Sequence, residues 1–297
     1  MVNQPLVSIL MNCHNGEDFL NESIGSVLKQ SYQNWELIFF DNASNDSSRE
    51  IFNSFSDKRL KYFYQPNKSS LVEARNIAVE RCSADWIAIL DTDDSWHQEK
   101  LQEQINVIKN SQDFKNIGLI FTKAEINCGK NKKTISRSFK SKKFLDDLLT
   151  TNLSIPWSST IFNKKLFYEV GKFDKNFPNF HDFALELSIA SFAQIIFVDK
   201  PLTYIKIHND SLSAKQKFDS SNYFSENKLI LKDYFPRKSA IDGFYILTVK
   251  AIIFPLLQFD FVNFFKELSK LSLKEIIFCS RASVQIFKSK FKKNFNS

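Results

Sequence analysis

The order of short apolar runs and amphipathic segments constrains the fold of this chain more than any other feature. Runs of strand length alternate with segments whose apolar residues recur at helical spacing. The predicted strands are Leu6 to Asn12, Trp35 to Asp41, Leu60 to Tyr64, Trp86 to Leu90 and Ile117 to Thr122. The predicted helices are Glu17 to Gln30, a short one from Asp46, one opened by a Ser70–Glu73 capping box, and Glu99 to Lys109. Such alternation predicts an α/β fold with a mainly parallel, doubly wound sheet flanked by helices.

Polar side chains stand where three of these predicted strands end. Asn12 ends the first strand, Asp41 ends the second, and Asp91 follows the apolar run that begins at Trp86. Open parallel sheets bind their ligands in a crevice outside the carboxyl ends of the strands. We therefore expect these three side chains to border a ligand site.

The stretch AILDTDDSW, residues 88 to 96, places Asp91, Asp93 and Asp94 together after a buried strand. Crowded carboxylates disfavour one another's ionised form unless a cation or hydrogen bonds compensate. Oxygen ligands of this kind suit Mg²⁺ or Mn²⁺. An acidic turn that caps the next helix, with Ser95 and Gln98 as a capping box, explains the stretch equally well. Both interpretations stay open on these residues alone.

The loops that usually bind phosphate are missing from the first strand's turn. A dinucleotide-binding fold would carry GxGxxG there, but the turn reads MNCHNGED with the single Gly16. The sequence has no P-loop either. A bound diphosphate would therefore need another source of positive charge, and a metal held by the acidic stretch would supply it.

Composition excludes several classes of protein. With 297 residues, 43% hydrophobic and 25% charged, the chain is an ordinary globular mixture. Its longest apolar stretch, Phe244 to Phe254, is interrupted by Lys250 and is too short to span a bilayer. The start lacks the pattern of a signal peptide, which predicts a cytoplasmic protein. The four cysteines form no CxxC pair, so we expect neither a zinc site nor a disulfide framework.

The net charge of +7 is concentrated in the tail, which argues against nucleic acid as a partner. From Phe264 to Ser297, eight basic residues stand against two acidic ones. Apolar residues recur there at helical spacing, from Leu273 to Phe291, with Lys and Arg on another face. A basic amphipathic helix of this kind can lie on an anionic membrane surface. A helix that packs on the core with a solvated basic face is the alternative.

The motifs of the first two thirds of the chain, from Pro5 to His208, resemble those of the family 2 glycosyltransferases. The likeness lies in PLVSILMNCHNGEDFLNESIGSVLKQSYQNWELIFFDNASND followed by EARNIAVERCSADWIAILDTDDSW. The resemblance implies the GT-A fold and inverting transfer of a sugar from a nucleoside diphosphate to a hydroxyl, with a divalent cation. It also implies a role for each matching residue. Asn12, Asp41 and Asn42 match nucleoside-binding positions, and Arg75 matches a position near the nucleotide. Asp91, Asp93 and Asp94 match the region that holds ribose, metal and diphosphate, with Asp93 and Asp94 as the metal ligands.

Two positions depart from the family pattern. Asn42 stands where the family usually has Asp. Its carbonyl can still accept the N3 hydrogen of uracil or thymine, so uridine stays the expected base and thymidine the second candidate. His181 stands where the family usually has Glu. Asn42 as a turn residue, and Arg75 as a surface ion-pair partner of Glu73 or Asp85, are the structural alternatives.

The resemblance places the catalytic base at Asp182, in FDKNFPNFHDFALELSIA. An inverting displacement needs a group that takes the proton from the attacking hydroxyl. His181 would support Asp182 or cap the helix, and Glu186, one turn on, is the second candidate base. His208, in YIKIHNDSLS, resembles a position that faces the diphosphate. The alternative for Asp182 is a helix N-terminal acid favoured by the dipole.

The sequence therefore predicts a GT-A domain over residues 1–215 and a helical, basic extension over 216–297, in which Pro255 kinks or ends a helix. The segment Lys130 to Lys143 has seven basic residues and no acid, where we expect the sheet to have ended. It is a solvated loop, a lid over the diphosphate or a contact with anionic lipid.

The expected protein is a cytoplasmic, peripheral membrane enzyme that builds bacterial surface polysaccharide. Its partners would be a nucleotide-sugar donor and a glycan or lipid-linked glycan acceptor. A sugar-1-phosphate nucleotidyltransferase and a non-catalytic sugar-nucleotide binding module are the alternatives.

Overall fold

The structure is a computed structural model that describes residues 4–128, 131–135, 144–151 and 155–208. Its strands are β1 Val7–Cys13, β2 Trp35–Asn42, β3 Leu60–Gln65, β4 Trp86–Ile89, β5 Ser95–Trp96, β6 Ile117–Cys128, β7 Asn131–Ile135, β8 Thr160–Asn163 and β9 Gln194–Lys206. Its helices are α1 Leu20–Leu28, α2 Ser48–Ser54, α3 Leu71–Arg81, α4 Lys100–Asn110, α5 Phe144–Thr151, α6 Lys164–Glu169 and α7 His181–Phe192. Single 3₁₀ turns cover Phe114–Asn116 and Trp157–Ser159.

The strands form one nine-stranded sheet in the order β3-β2-β1-β4-β8-β6-β9-β5, with β7 paired to β6. β1, β2, β3 and β4 run parallel to one another. β8 runs antiparallel to both β4 and β6, and β5 runs antiparallel to β9. The predicted α/β sheet is confirmed. Its parallel pairs are those among β1 to β4, which the βαβ alternation covers, and the pair of β6 with β9. The order reverses at β1, because β2 and β3 lie on one side of it and β4 on the other.

Helices cover both faces of the sheet. Successive side chains on a strand point to opposite sides, so one strand can pack against helices on both faces. Alternate residues of β1, namely Val7, Ile9 and Met11, join one apolar cluster with buried side chains of α1, α2 and α4. The helix α3 packs against β1 and β2, while α7 packs against β6 and β9. At Gly118 of β6, an added Cβ would lie 2.6 Å from Ile189 Cγ2 of α7. The helix that carries Asp182 therefore packs on the sheet where β6 has no side chain.

Most element boundaries fall close to those expected from the sequence, and the predicted capping box of Ser70 and Glu73 opens α3. The strand expected to end at Thr122 instead continues to Cys128 and turns back into β7. β7 pairs with β6 beyond the point where β8 has ended, so β6 keeps a hydrogen-bonding neighbour. The expectation that the sheet ends before the basic segment is therefore wrong. A Lys-rich sequence is typical of an edge strand.

The chain divides into two compact units. The first comprises residues 1–140 and 155–215, and the second comprises residues 141–154 and 216–297. None of the described helices has both the length and the apolar character needed to cross a membrane. Pro255 and the basic tail lie outside the described residues, so the helical extension from residue 216 stays a prediction.

Candidate active site

Two loops at the carboxyl edge of the sheet hold each other in place. The first, residues 14–17, follows β1, and the second, residues 43–48, follows β2; we call them the interlocked loops. Backbone amides of each loop donate to side chains of the other: Asn45 N to Asn15 Oδ1 at 2.9 Å, Gly16 N to Ser48 Oγ at 2.9 Å, Glu17 N to Asp46 Oδ2 at 3.0 Å and Ser47 N to Glu17 Oε2 at 2.9 Å. The turn MNCHNGED thus has a defined conformation without a glycine-rich sequence.

Gly16 allows the acidic stretch to approach the first of these loops. A Cβ at residue 16 would lie 2.9 Å from Cys13 Sγ and 3.5 Å from Thr92 Cβ. The first distance is closer than real Cβ atoms tolerate, so a larger residue would make the loop or the Cys13 side chain shift, whereas the second is an ordinary van der Waals contact. The glycine of this turn therefore permits close packing against the Cys13 side chain at the end of β1.

Asn12 lies next to the end of β1, in register with Phe40 of β2. Its side-chain oxygen and nitrogen are both buried and have no hydrogen-bond partner within the part of the chain that the structure describes. Buried polar groups are nearly always paired in native proteins. The amide therefore suits a residue whose hydrogen-bonding partner is a ligand, although its predicted contact with the nucleoside stays a prediction.

Asp41 and Asn42 lie at the end of β2 and are both buried. Asp41 accepts hydrogen bonds from Tyr62 Oη at 2.6 Å and from Ser44 N at 2.8 Å. The Asn42 amide donates to Ser69 O at 2.9 Å and accepts from Ser69 N at 2.9 Å. This pair of bonds fixes the Asn42 amide and anchors the segment before α3, as expected of the structural alternative. A contact between Asn42 and the base stays a prediction.

Arg75 connects two parts of the edge that are far apart in sequence. It lies in α3 and is 5% exposed, and its Nη2 donates to Asp91 Oδ1 at 2.7 Å. Its Nη1 lies 2.8 Å from Nε2 of His181, the first residue of α7. The expected alternative, a surface ion pair with Glu73 or Asp85, is wrong, because Arg75 faces the interior and pairs with Asp91.

The acidic stretch is not a capping turn. Ser95 and Trp96 form β5, and α4 begins only at Lys100, so the capping box expected between Ser95 and Gln98 is wrong. β5 is instead drawn into the sheet by antiparallel pairing with Tyr204 and Thr203 of β9.

The same pairing brings His208, just after β9, to Asp93. His208 Nε2 lies 3.0 Å from Asp93 Oδ2. The His208 ring also lies against Phe19, with ring centroids 4.5 Å apart. The sequence placed His208 near the diphosphate region, and the structure brings it to the acidic stretch.

The three aspartates differ in exposure. The side chains of Asp91 and Asp93 are 38% and 26% exposed, whereas Asp94 is buried. Burial, then the charge of Asp91, raises the pKa of Asp93. Burial, then the charges of Asp91 and Asp93, raises the pKa of Asp94 well above its usual range. The predicted crowding of negative charge is therefore present in the folded chain.

Ser158 is a site residue that sequence reasoning missed. Its Oγ donates to Asp94 Oδ2 at 2.5 Å and accepts from Asp91 N at 3.1 Å. It lies in the 3₁₀ turn before β8, and antiparallel pairing of β8 with β4 places that turn beside the end of β4. No sequence signal marks this serine, because its position depends on a pairing between segments 64 or more residues apart.

Asp182 is the second residue of α7, and it follows the histidine that contacts Arg75. Its Oδ1 accepts from Phe183 N at 2.8 Å. Burial raises its pKa, while the positive charge of Arg75 opposes this increase. A carboxylate with a raised pKa is suited to accept a proton near neutral pH.

Glu186, the second candidate base, is completely buried. Both of its oxygens lie 3.2 Å from Ile155 N, which donates to them. Burial raises its pKa well above the usual range. The structure thus gives Glu186 the role of an interior anchor for residue 155. The role of Glu186 as the second candidate base stays a prediction.

The donor set fits a divalent cation that shares its coordination shell with a substrate. No cluster of three or more His, Cys, Asp or Glu side chains suited to a metal occurs among the described residues. Mg²⁺ commonly uses only one or two protein carboxylates, with phosphate oxygens and water completing its shell. Asp93 meets this need, since its carboxylate is partly exposed and sits in excess negative charge. Asp94 fits less well, because its oxygens accept from Ser158 Oγ and Lys206 N.

Comparison with known proteins assigns the family. The model of "Glycosyl transferase family 2" matches residues 8–171, more than half of the chain. An uncharacterized glycosyltransferase of Haemophilus influenzae is 46% identical over 35% of this chain and 43% of its own length. The Escherichia coli UDP-Glc:alpha-D-GlcNAc-diphosphoundecaprenol beta-1,3-glucosyltransferase WfgD is 30% identical over 87% of this chain and 97% of its own length. The chain thus spans under half of one relative and nearly all of the other.

Solved structures with the same fold carry nucleotide sugars. TarS of S. aureus, in complex with UDP-GlcNAc, matches 93% of this chain and 79% of its own chain, with a TM-score of 0.67 and 18% identity. The mannosyltransferase PcManGT from Pyrobaculum calidifontis, in complex with GDP-Man and Mn²⁺, matches 98% of this chain and 83% of its own, with a TM-score of 0.56 and 14% identity. At such identities the match concerns the fold, and it confirms the GT-A architecture. This chain, with its doubly wound sheet and its acidic carboxyl edge, belongs to the family 2 glycosyltransferases.

Proposed function

We propose that the protein transfers a sugar from a nucleoside diphosphate to a hydroxyl group of an acceptor glycan. One observation carries this proposal: Arg75 joins Asp91, on the acidic stretch, to His181, which precedes Asp182. Asp91 is 16 positions and His181 is 106 positions from Arg75 in the sequence, and both contact its guanidinium. A transferase needs such a meeting, because the leaving diphosphate and the attacking hydroxyl must lie at opposite sides of the same anomeric carbon.

The donor we favour is a UDP-sugar, with a dTDP-sugar as the second candidate. WfgD is named as a user of UDP-Glc, and the fold neighbour TarS binds UDP-GlcNAc. In this chain the nucleoside would lie over the ends of β1 and β2, where Asn12 and Asp41 stand. The unpaired amide of Asn12 supports this placement.

Asp93, with Asp94 behind it, would hold a divalent cation, Mn²⁺ or Mg²⁺. The cation would supply positive charge that balances the diphosphate and eases its departure. The raised pKa of Asp93 and the Mn²⁺ bound to the fold neighbour PcManGT support this assignment. Arg75 adds a fixed positive charge beside Asp91, and His208 lies against Asp93 within reach of the same region.

Asp182 would act as the catalytic base. Its carboxylate accepts the proton of the acceptor hydroxyl while the hydroxyl oxygen bonds to the anomeric carbon. The bond from that carbon to the diphosphate oxygen breaks on the opposite face, and the anomeric configuration inverts. The raised pKa of Asp182 supports this role, because a base accepts a proton best when its pKa is close to the working pH.

The acceptor we favour is a lipid-linked glycan of bacterial surface polysaccharide synthesis. WfgD is named for an acceptor that carries diphosphoundecaprenol. The basic tail would bring residues 1–215, as the catalytic domain, to the anionic inner face of the cell membrane. The protein would then be cytoplasmic and peripheral at that membrane, with the residues from 216 onward as the membrane-associating extension.

Hydrolysis of the donor in the absence of acceptor tests the proposed activity. UDP-glucose, UDP-GlcNAc and dTDP-glucose are incubated with the protein in MnCl₂, in MgCl₂ and in EDTA. Slow release of UDP or dTDP that needs the metal supports the transferase. Formation of pyrophosphate from a sugar 1-phosphate and UTP would indicate a nucleotidyltransferase instead. Binding of UDP without turnover of any donor would indicate a binding module.

A further inference from the structure

The hydrogen bonds of His181 fix its proton. Arg75 Nη1 lies 2.8 Å from His181 Nε2, and a guanidinium only donates, so Nε2 must accept. Nδ1 lies 3.1 Å from Pro178 O, which only accepts, so Nδ1 must carry the proton. The Arg75 contact requires an unprotonated Nε2 and so a neutral ring, and the Pro178 contact agrees with the proton on Nδ1. Burial and the charge of Arg75 lower the pKa of His181 to about 4, in agreement with a neutral ring at pH 7.

The neutral ring leaves the charge of Arg75 for Asp91. Arg75 bonds His181 through Nη1 and Asp91 through Nη2. The Arg75 guanidinium and the His181 ring both lie near the Phe173 ring, at 5.9 Å and 5.4 Å from its centroid. Among the described residues, the charged groups that act on His181 are Arg75 from α3 and Asp91 from the end of β4. Asp182 is the next residue of its own helix. An acid at residue 181 would add a third carboxylate, beside those of Asp91 and Asp182, around the Arg75 guanidinium.

We propose that His181 is a positioning residue, a neutral acceptor that holds Arg75 so that its second nitrogen stays on Asp91. Through this link the start of α7, which carries Asp182, is set in place relative to the acidic stretch. This inference rests on the proposed function, since it assigns His181 a part in sugar transfer. The polar partner of Arg75 at this point is uncharged, so the guanidinium can be shared between two elements without losing its pairing with Asp91.

Two substitutions separate the contacts of His181. Gln places its side-chain oxygen near the position of Nε2, so H181Q keeps an acceptor for Arg75. Asn places its amide near the position of Nδ1, so H181N keeps a donor for Pro178 O and loses the acceptor. A role limited to anchoring the start of α7 predicts that H181N is the better tolerated variant. The positioning role predicts the reverse.

Steady-state kinetics with UDP-glucose or UDP-GlcNAc, whichever the wild-type protein turns over in MnCl₂, decides between them. We expect kcat/KM of H181N to fall about tenfold, as after loss of a hydrogen bond to a charged group, and that of H181Q to stay within about threefold. In the R75Q background, H181N should cost little more, because its effect passes through Arg75. Melting temperatures identify any variant that fails to fold. Equal loss in both variants, or an unimpaired H181N, would overturn the proposal.

A second measurement does not depend on turnover. The chain has four histidines, so ¹⁵N-histidine spectra are readily assigned by the loss of one signal in H181Q. His181 should show a protonated Nδ1 and an unprotonated Nε2 at pH 7, and its Nε2 signal should move in R75Q. A ring protonated at both nitrogens, or the opposite tautomer, would overturn the proposal. A wild-type protein that shows the expected spectrum but turns over no donor would contradict only the proposed activity.

Discussion

Ser158 Oγ donates a 2.5 Å hydrogen bond to Oδ2 of Asp94, a buried carboxylate with a pKa raised by burial and by its two acidic neighbours. The same oxygen accepts from Asp91 N at 3.1 Å. One hydroxyl thus organises both ends of the acidic stretch. Its position comes from β8, the strand that pairs with β4 in antiparallel fashion.

Replacement of Ser158 by Ala should destabilise the fold by about 1 to 3 kcal/mol, because a buried carboxylate loses its side-chain donor. The pKa of Asp94 should rise further, since this hydrogen bond favours the ionised form. Urea denaturation followed by circular dichroism measures the free energy of unfolding. Ser54→Ala on α2, an exposed serine that bonds only Ile51 O among the described residues, is the matched control. Equal stability of S158A and S54A would contradict this role.

Replacement of Asp182 by Asn should lower kcat by about 10² to 10⁴, because the attacking hydroxyl loses its proton acceptor. Binding of UDP in MnCl₂, measured by calorimetry, should change little. In the wild-type protein kcat/KM should rise with pH on the acid side, because the base must be ionised, and that limb should disappear in D182N. Asp113→Asn, an exposed acid before β6, should retain full activity. A fully active D182N would remove Asp182 as the base.

Replacement of Glu36 by Gln should destabilise the protein by about 3 kcal/mol at pH 7. Although burial opposes ionisation, hydrogen bonds from Lys61, Ser8 and Ser83 lower the pKa of Glu36 to about 2. Its stabilising effect is present above the pKa of an unfolded glutamate, about 4.3, and is lost as pH falls towards 2. The difference between wild type and E36Q should therefore shrink over that range. Glu50→Gln, which replaces an exposed acid on α2, is the matched control.

Replacement of Gly118 by Ala should destabilise the fold by about 1 to 3 kcal/mol through overpacking. The new Cβ would lie 2.6 Å from Ile189 Cγ2, 2.7 Å from Leu166 Cδ2 and 2.9 Å from Ala193 Cβ. Gly25→Ala on α1 is the matched control, because no atom lies within 4 Å of its added Cβ and Ala favours the helix by about 1 kcal/mol. Thermal melts should therefore move in opposite directions, and a stabilised G118A would show that α7 does not pack tightly on β6.

Replacement of Lys288, Lys290, Lys292 and Lys293 by Gln should weaken binding to vesicles that contain anionic lipid, by up to about 4 kcal/mol, since each charge contributes about 1 kcal/mol. Sedimentation with vesicles at two salt concentrations measures the effect. The control removes the same charge from exposed lysines of the first unit, by changing Lys29, Lys58, Lys115 and Lys165 to Gln. Unchanged partitioning of the tail variant would leave those lysines with a solvated role only.

The sequence predicted what depends on local pattern. Strand ends follow from apolar periodicity, so Asn12, Asp41 and Asp91 were expected at one edge before any contact was known. It could not predict contacts made by antiparallel strands whose partners lie far along the chain. The positions of Ser158 and of His208 depend on β8 and β9 in this way.

Interior partners were harder still to predict from the sequence. For Arg75 the sequence offered a position near the nucleotide, with a surface ion pair to Glu73 or Asp85 as the alternative. Its true partners, Asp91 and His181, are brought together only by packing of α3 and α7 around the end of β4. Glu186 shares a helical face with Asp182 by spacing, yet the structure buries its side chain completely. Spacing gives direction from a helix axis and does not give depth.

The interlocked loops have a consequence for how a nucleotide would be received. Backbone amides of each loop already donate hydrogen bonds to side chains of the other loop. Binding of a nucleotide would therefore cost little backbone conformational entropy. The binding site at this edge is then preorganised before the nucleotide binds. The favourable free energy of each new contact then contributes to affinity, because little of it is offset by the cost of ordering the two loops.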